Sequence, residues 1–124
     1  MSESPMVVEG EPSTLLHGAT TEEELVRTHA DNPGLVFDVY NSVQHNTQRR
    51  VLWALVQESG RVSYNELEPY MTVSQRSTRK HVSNLVDNSI INRIDANFTF
   101  IEFDSIPAEV LTKEALTRWY DKTR

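Results

Sequence analysis

With 124 residues, a hydrophobic fraction of 38% and a net charge of −6, the chain has apolar content for one modest core in a single domain. It contains no cysteine, which excludes disulfides, thiolate metal sites and thiol redox switches. No apolar run approaches the roughly 20 residues that span a bilayer, so a membrane partner is not expected and a cytoplasmic location is.

Residues 1–18, "MSESPMVVEGEPSTLLHG", show no sustained period and are expected to form a mobile acidic tail; they lack the basic start and long apolar run of a secretory signal. Residues 19–46 are expected to hold N-terminal helices. Thr21 and Glu24 have capping-box spacing, which predicts a short helix to about Ala30. Asn32 then caps and Pro33 opens a second helix, with Leu35, Val36, Val39, Tyr40 and Val43 at helical spacing. Asn46 is the expected cap of a third, whose Val51, Leu52, Leu55 and Val56 share one face and which Gly60 stops. A second capping box, Ser63 with Glu66, starts a short helix to about Tyr70. The next helix begins at Ser74, turns Thr78, Val82, Leu85 and Val86 inward and ends at Asn88-Ser89. The period changes in "IINRIDANFTFIEF", which reads as a hairpin turning at Asp95-Ala96-Asn97. Pro107 opens a final helix with Leu111, Ala115 and Trp119 on one stripe and Leu116 and Tyr120 beside it. The predicted class is α+β, mainly α with a small β-hairpin wing.

Charge follows this organisation. Residues 1–46 carry a net −7, residues 47–94 a net +3 and residues 95–124 a net −2, so a basic middle lies between acidic ends. That pattern points to a polyanion-binding module in a solubilising frame. Helix, short helix, turn, helix and hairpin over residues 47–104 follow the order of a winged helix-turn-helix, whose second turn helix enters the DNA major groove. The inward apolar positions leave Gln75, Arg76, Arg79, Lys80 and Ser83 on the outer face. Gln can bridge adenine N6 and N7, and Arg can bridge guanine O6 and N7, each contact contributing about 1–3 kcal/mol of discrimination. Ser74 and Ser77 stand at the helix start. Ser63 and Tyr64 open the short helix, whose first amides can hold a phosphate, and Arg93 can reach a neighbouring minor groove or phosphate. The plain alternative for the three cations is a solvated helix face. Arg49 and Arg50 are expected to cap or pair within the fold.

"NSVQHNTQRRVLWAL", "VSYNELEPYM", "VSQRSTRKHVSNLVDNSIINR" and the hairpin together resemble winged-helix transcription regulators of the ArsR, MarR and PadR kind, over about half of the chain. The run Thr47-Gln48-Arg49-Arg50-Val51-Leu52 is similar to the helix opening of ArsR-like proteins, and Val73 to Val82 resembles their recognition helix. One departure is Met71-Thr72, where these families usually carry a glycine before that helix. Nine arginines against three lysines and 18 acids suit a cytoplasm of high salt, so the chain is similar to regulators from haloarchaea, including PadR-like oxidative-stress regulators. The resemblance implies a homodimer on a pseudo-palindromic operator of double-stranded DNA, at stress-response promoters, without a cofactor.

Leu25, Leu111, Ala115, Leu116, Trp119 and Tyr120 are expected at a two-fold interface, with residues 105–124 as the dimerisation helix; the plain alternative is that they pack back on the chain's own core. Such a dimer sets two recognition helices about 34 Å apart. The histidines His17, His29, His45 and His81 include no pair at three-to-five-residue spacing, and no metal site is expected from them. Neither a clustered acid-base pair nor a phosphate-cradling glycine motif occurs, so an enzyme is not expected. At molar salt the Debye length is about 3 Å, which screens phosphate attraction. Acids such as Glu66 and Glu68 would then share inorganic cations with phosphates. The competing reading is a winged-helix module that meets a protein of the transcription machinery.

Overall fold

The computed structural model describes residues 21–123, so the tail expected over 1–18 lies outside the described residues. Thr21 caps α1 (Glu22–Asp31), its hydroxyl accepting the Glu24 amide at 3.1 Å. Pro33 stands in the first turn of α2 (Pro33–Gln44), as predicted, but the Asn32 side chain turns back to donate to the Thr28 carbonyl at 2.9 Å. The cap of α3 (Asn46–Gln57) is His45, one residue before the expected Asn46. Asn46 instead accepts a bond from the Arg49 guanidinium at 3.0 Å.

Val51 to Leu55 of α3 are buried without a break, where a single face was expected, because α2, α5 and α6 surround this helix. Trp53 at its centre is fully buried. Arg49, on the same helix, is also buried and has no carboxylate partner among the described residues. Its guanidinium donates to the Val43 carbonyl at 2.8 Å, at the electronegative end of α2, and lies 3.8 Å from the Trp119 ring centroid.

Gly60 takes φ +97° as the chain leaves α3, the left-handed turn that glycine makes without strain. A strand absent from the sequence reading follows: β1 (Arg61–Ser63). It pairs antiparallel with β3 (Thr99–Phe103), which pairs antiparallel with β2 (Ile91–Asp95), in the order β1-β3-β2. The hairpin is therefore part of a three-stranded sheet. Asp95 is the last paired residue, opposite Thr99, so the turn is Ala96 to Phe98 rather than Asp95 to Asn97. After β1 come α4 (Tyr64–Leu67), a 3-10 turn (Glu68–Tyr70) containing Pro69, and α5 (Gln75–Asp87). The last helix, α6 (Ile106–Thr123), begins one residue before Pro107, with the Ser105 hydroxyl accepting the Ala108 amide at 3.2 Å. The described chain is mainly helical with a small antiparallel sheet, an α+β arrangement, and none of its helices is long and apolar enough to cross a membrane.

The expected dimer stripe is corrected by burial. Leu111 and Ala115 are 1% exposed and Leu116 is 0% exposed within the single chain. They face the core, because α6 lies along α2 and also meets α3. Trp119 and Tyr120 are half-buried at the edge of the same core, with the Tyr120 ring 5.4 Å from Trp53. Leu25 is half-buried on α1. The apolar surface of α6 thus has an internal partner, where the sequence reading assigned it to a second copy.

Leu116→Ala should lower unfolding stability by about 2–5 kcal/mol, the range for a leucine truncated in a core. Urea unfolding over a range of protein concentrations should return the same loss at each; a loss that grows on dilution would return Leu116 to an interface.

Candidate nucleic-acid interface

The start of α5 is fixed by Ser74. Its hydroxyl accepts the Ser77 amide at 3.1 Å, and its carbonyl accepts the Thr78 hydroxyl at 3.0 Å. Thr78, Val82 and Leu85 are buried and Val86 is half-buried, so the predicted inner face is correct. Gln75, Arg76, Arg79 and Lys80 are exposed together on the opposite side, while Ser77 and Ser83 are half-buried.

The electrostatics of this face differ from the rest of the chain. Acids occupy the first turns of α1, α4 and α6, where they oppose the positive end of the helix dipole. The first turns of α2, α3 and α5 have none, and that of α5 carries Arg76. A cation there works against the dipole by about 0.3–1 kcal/mol, and the Arg76 side chain is exposed. Arg27, Arg61, Lys113 and Arg118 each have a carboxylate partner. Among the described residues Arg76, Lys80 and Arg93 have none, and Arg79 has only an aromatic one, its guanidinium 4.7 Å from the Tyr64 ring centroid. Arg93 projects from β2 as an exposed residue opposite Ile101.

Two candidates change role. Ser63 is buried, and its amide and hydroxyl are both engaged by Glu66 in a complete capping box, at 2.9 and 3.2 Å. It therefore holds the β1–α4 junction and is not available to meet a nucleic acid. The four-residue α4 has its Glu66 amide taken by the same box, which removes the basis for a phosphate at its start. Tyr64 is half-buried, and its hydroxyl is buried with no hydrogen-bond partner among the described residues. Its ring is a platform for Arg79 rather than a contact in its own right. Arg50 donates to the Tyr70 carbonyl at 3.2 Å, so Arg49 and Arg50 both serve the fold. The Glu66 carboxylate is likewise drawn back onto its own helix, away from the cation-sharing role expected of it. Among the described residues no group of three or more His, Asp or Glu side chains could hold a metal ion.

Two cavities flank the Tyr64–Arg79 pair. One, of about 360 Å³, lies between the 3-10 turn and the start of α5 and is lined in part by Glu68, Met71, Val73 and Gln75. The other, of about 170 Å³, lies between α5 and the hairpin tip; Ser63, Tyr64, Asn65, Arg79, Phe98 and Thr99 line it, without a carboxylate. The sequence reading placed Phe98 in the hairpin but missed its position at the tip; the register that puts it there comes from pairing with β3, not from local pattern.

On its inner flank α5 rests on a histidine pair that linear spacing hid. The rings of His45 and His81 are 4.6 Å apart, and Gln48 lies 3.4 Å from the His81 Nδ1. Burial, then His45, then Lys80 push the His81 pKa below its ordinary value of 6.5. The folded chain therefore takes up this proton at a lower pH than the unfolded chain. The stability it contributes is present above pH 6.5 and is lost as the pH falls below it. His81→Gln should flatten the acid limb of stability against pH, and the His81 ring resonance should titrate with a midpoint below 6.5. A midpoint at or above that value would contradict the half-buried setting of the ring.

The chain matches no protein-family model, no curated protein and no solved structure. Function is therefore argued from this surface.

Proposed function

We propose that the chain is a winged helix-turn-helix transcription regulator that binds double-stranded DNA in sequence-specific fashion. In this reading α3, α4 and α5 supply the helix-turn-helix, β2 and β3 the wing, and α5 the recognition helix. One observation carries it: on a chain of net charge −6, three cations without carboxylate partners stand side by side on the exposed face of a capped helix. Gln75 and Arg76 in the first turn meet base edges, and Arg79, resting over the Tyr64 ring, is placed for a two-bond contact with guanine or phosphate. Lys80 and Arg93 meet the backbone. Ser74 and Ser77 act by fixing the first turn.

The protein acts as a homodimer, which gives the operator its two-fold character. With the α6 stripe buried, the surface free for a second copy lies on α1 and α2, where Val26 is 63% and Phe37 is 66% exposed beside the half-buried Leu25. The acidic, lysine-poor composition supports a cell of high internal salt and, with the resemblance to haloarchaeal regulators, a role in stress-response promoters. Under such screening base-edge hydrogen bonds and shape fit supply the affinity, so the salt slope is shallower than that of a repressor held by phosphates.

Duplexes selected from a random library in molar KCl should share a pseudo-palindromic motif. Arg76→Ala combined with Arg79→Ala should weaken binding to the selected duplex by about 10- to 1,000-fold, from the usual 1–3 kcal/mol per base contact, with unchanged circular dichroism and oligomeric state. Selection of no motif, or equal binding by the double variant, would overturn the reading; in the second case α5 meets a protein.

A further inference from the structure

We propose that Phe98 is an apolar wedge that enters the minor groove beside the α5 site, unstacks one base step and bends the duplex. This rests on the DNA-binding reading above, in which the wing lies near the backbone or minor groove, and adds to it a residue and a deformation.

Phe98 ends the Ala96-to-Phe98 turn at the tip of the hairpin and is 59% exposed. An aromatic side chain left in water folds back onto the nearest apolar surface, and this one does so in part, against Phe100. Its ring meets Phe100 at 4.5 Å between centroids, tilted by 44°. The Arg61 guanidinium lies 5.5 Å from the Phe100 centroid and is itself fixed by Glu102, with Nε and Nη2 donating to one carboxylate oxygen at 3.1 and 2.7 Å. Asp95, the nearest acid in the hairpin, accepts the Thr99 hydroxyl at 2.9 Å and is thereby engaged within the turn. The tip thus presents a fixed aromatic edge.

The position of that edge relative to α5 identifies its target. The cavity between them is lined by Arg79 from α5 and by Phe98 and Thr99 from the hairpin, with Ser63, Tyr64 and Asn65 at its floor and no carboxylate. One cation in an acid-free furrow matches the charge of a single phosphodiester strand. In B-DNA such a strand is what separates the major groove from the neighbouring minor groove. With α5 in the major groove and the strand crossing at Arg79, the tip beyond it meets the minor groove. Apolar side chains inserted there part adjacent bases and kink the duplex by about 20–90°. Pyrimidine–purine steps yield most easily. A contact of this kind does not depend on charge, so it keeps its strength when salt screens the cations.

The test uses the full chain and the duplex selected above, with 2-aminopurine placed in turn at each step flanking the α5 site and fluorophores at the two ends. Wild type should raise 2-aminopurine fluorescence at one step per half-site and shorten the end-to-end distance. Phe98→Ala should abolish both signals at saturation and weaken binding roughly ten-fold, as the loss of one buried aromatic contact does. Phe98→Leu should restore part of the bend, since leucine also serves as a wedge. Arg76→Ala should bind less tightly yet keep the bend once saturated. Unchanged fluorescence and bend in Phe98→Ala would overturn the wedge and leave the DNA reading in place. Failure of wild type to select any duplex would overturn both.

Discussion

Burial of α3 on all sides is the constraint from which the arrangement of the other elements follows. A helix surrounded in this way must satisfy every neighbour at once, and Val51 to Leu55 allow it by offering an apolar side chain in every direction. The α5 helix is seated on one flank through Val82 and Leu85, and α6 on another through Leu111 and Ala115. The sheet and the 3-10 turn also meet α3, and Arg49 lies in its first turn. It replaces water with the Val43 carbonyl and the face of Trp119, which makes a buried charge tolerable without a counter-ion. The orientation of the exposed side of α5 is thus set from beneath, by packing that the cations themselves do not touch.

Much of this was legible in the sequence because it is local. Thr21, Ser63 and Ser74 each announced a helix start through a cap whose bond spans three residues, and each of those bonds is formed. The inner face of α5 followed from helical periodicity, and its outer face followed by subtraction. What escaped was non-local. The three residues of β1 have no pattern of their own and become a strand only because β3 offers an unpaired edge. Tyr64 beneath Arg79, and His45 against His81, are contacts between residues far apart in the chain. The amphipathic stripe of α6 was read correctly as a surface needing cover, but periodicity does not say what covers it, and the rest of the fold does.

Electrostatically the chain combines acids that are paired or sit at helix starts with others, such as Asp31 and Asp87 at helix ends, and with a small set of cations left without carboxylate partners. Glu22, Glu23 and Glu24 at one helix start, Glu109 at another and the ion pairs of Arg61 and Arg118 are self-consistent. The first turn of α5 carries Arg76, a cation at the positive end of the dipole. A departure from local preference at an exposed side chain is where an external partner is most economically placed, and it is why the proposed interface centres on Arg76 rather than on the better-packed Arg49 or Arg50.

Ser63 is at once the last residue of β1 and the cap of α4. Because β1 pairs with β3, the middle strand of the sheet, the hairpin cannot swing without pulling on the residue that caps α4. As α5 also packs against β2, hairpin and α5 form a single stiff caliper, with its two jaws at a set gap. On the proposed reading a duplex entering that gap is the more compliant body. Selectivity then depends on how readily each sequence bends to the opening, as well as on which bases it displays.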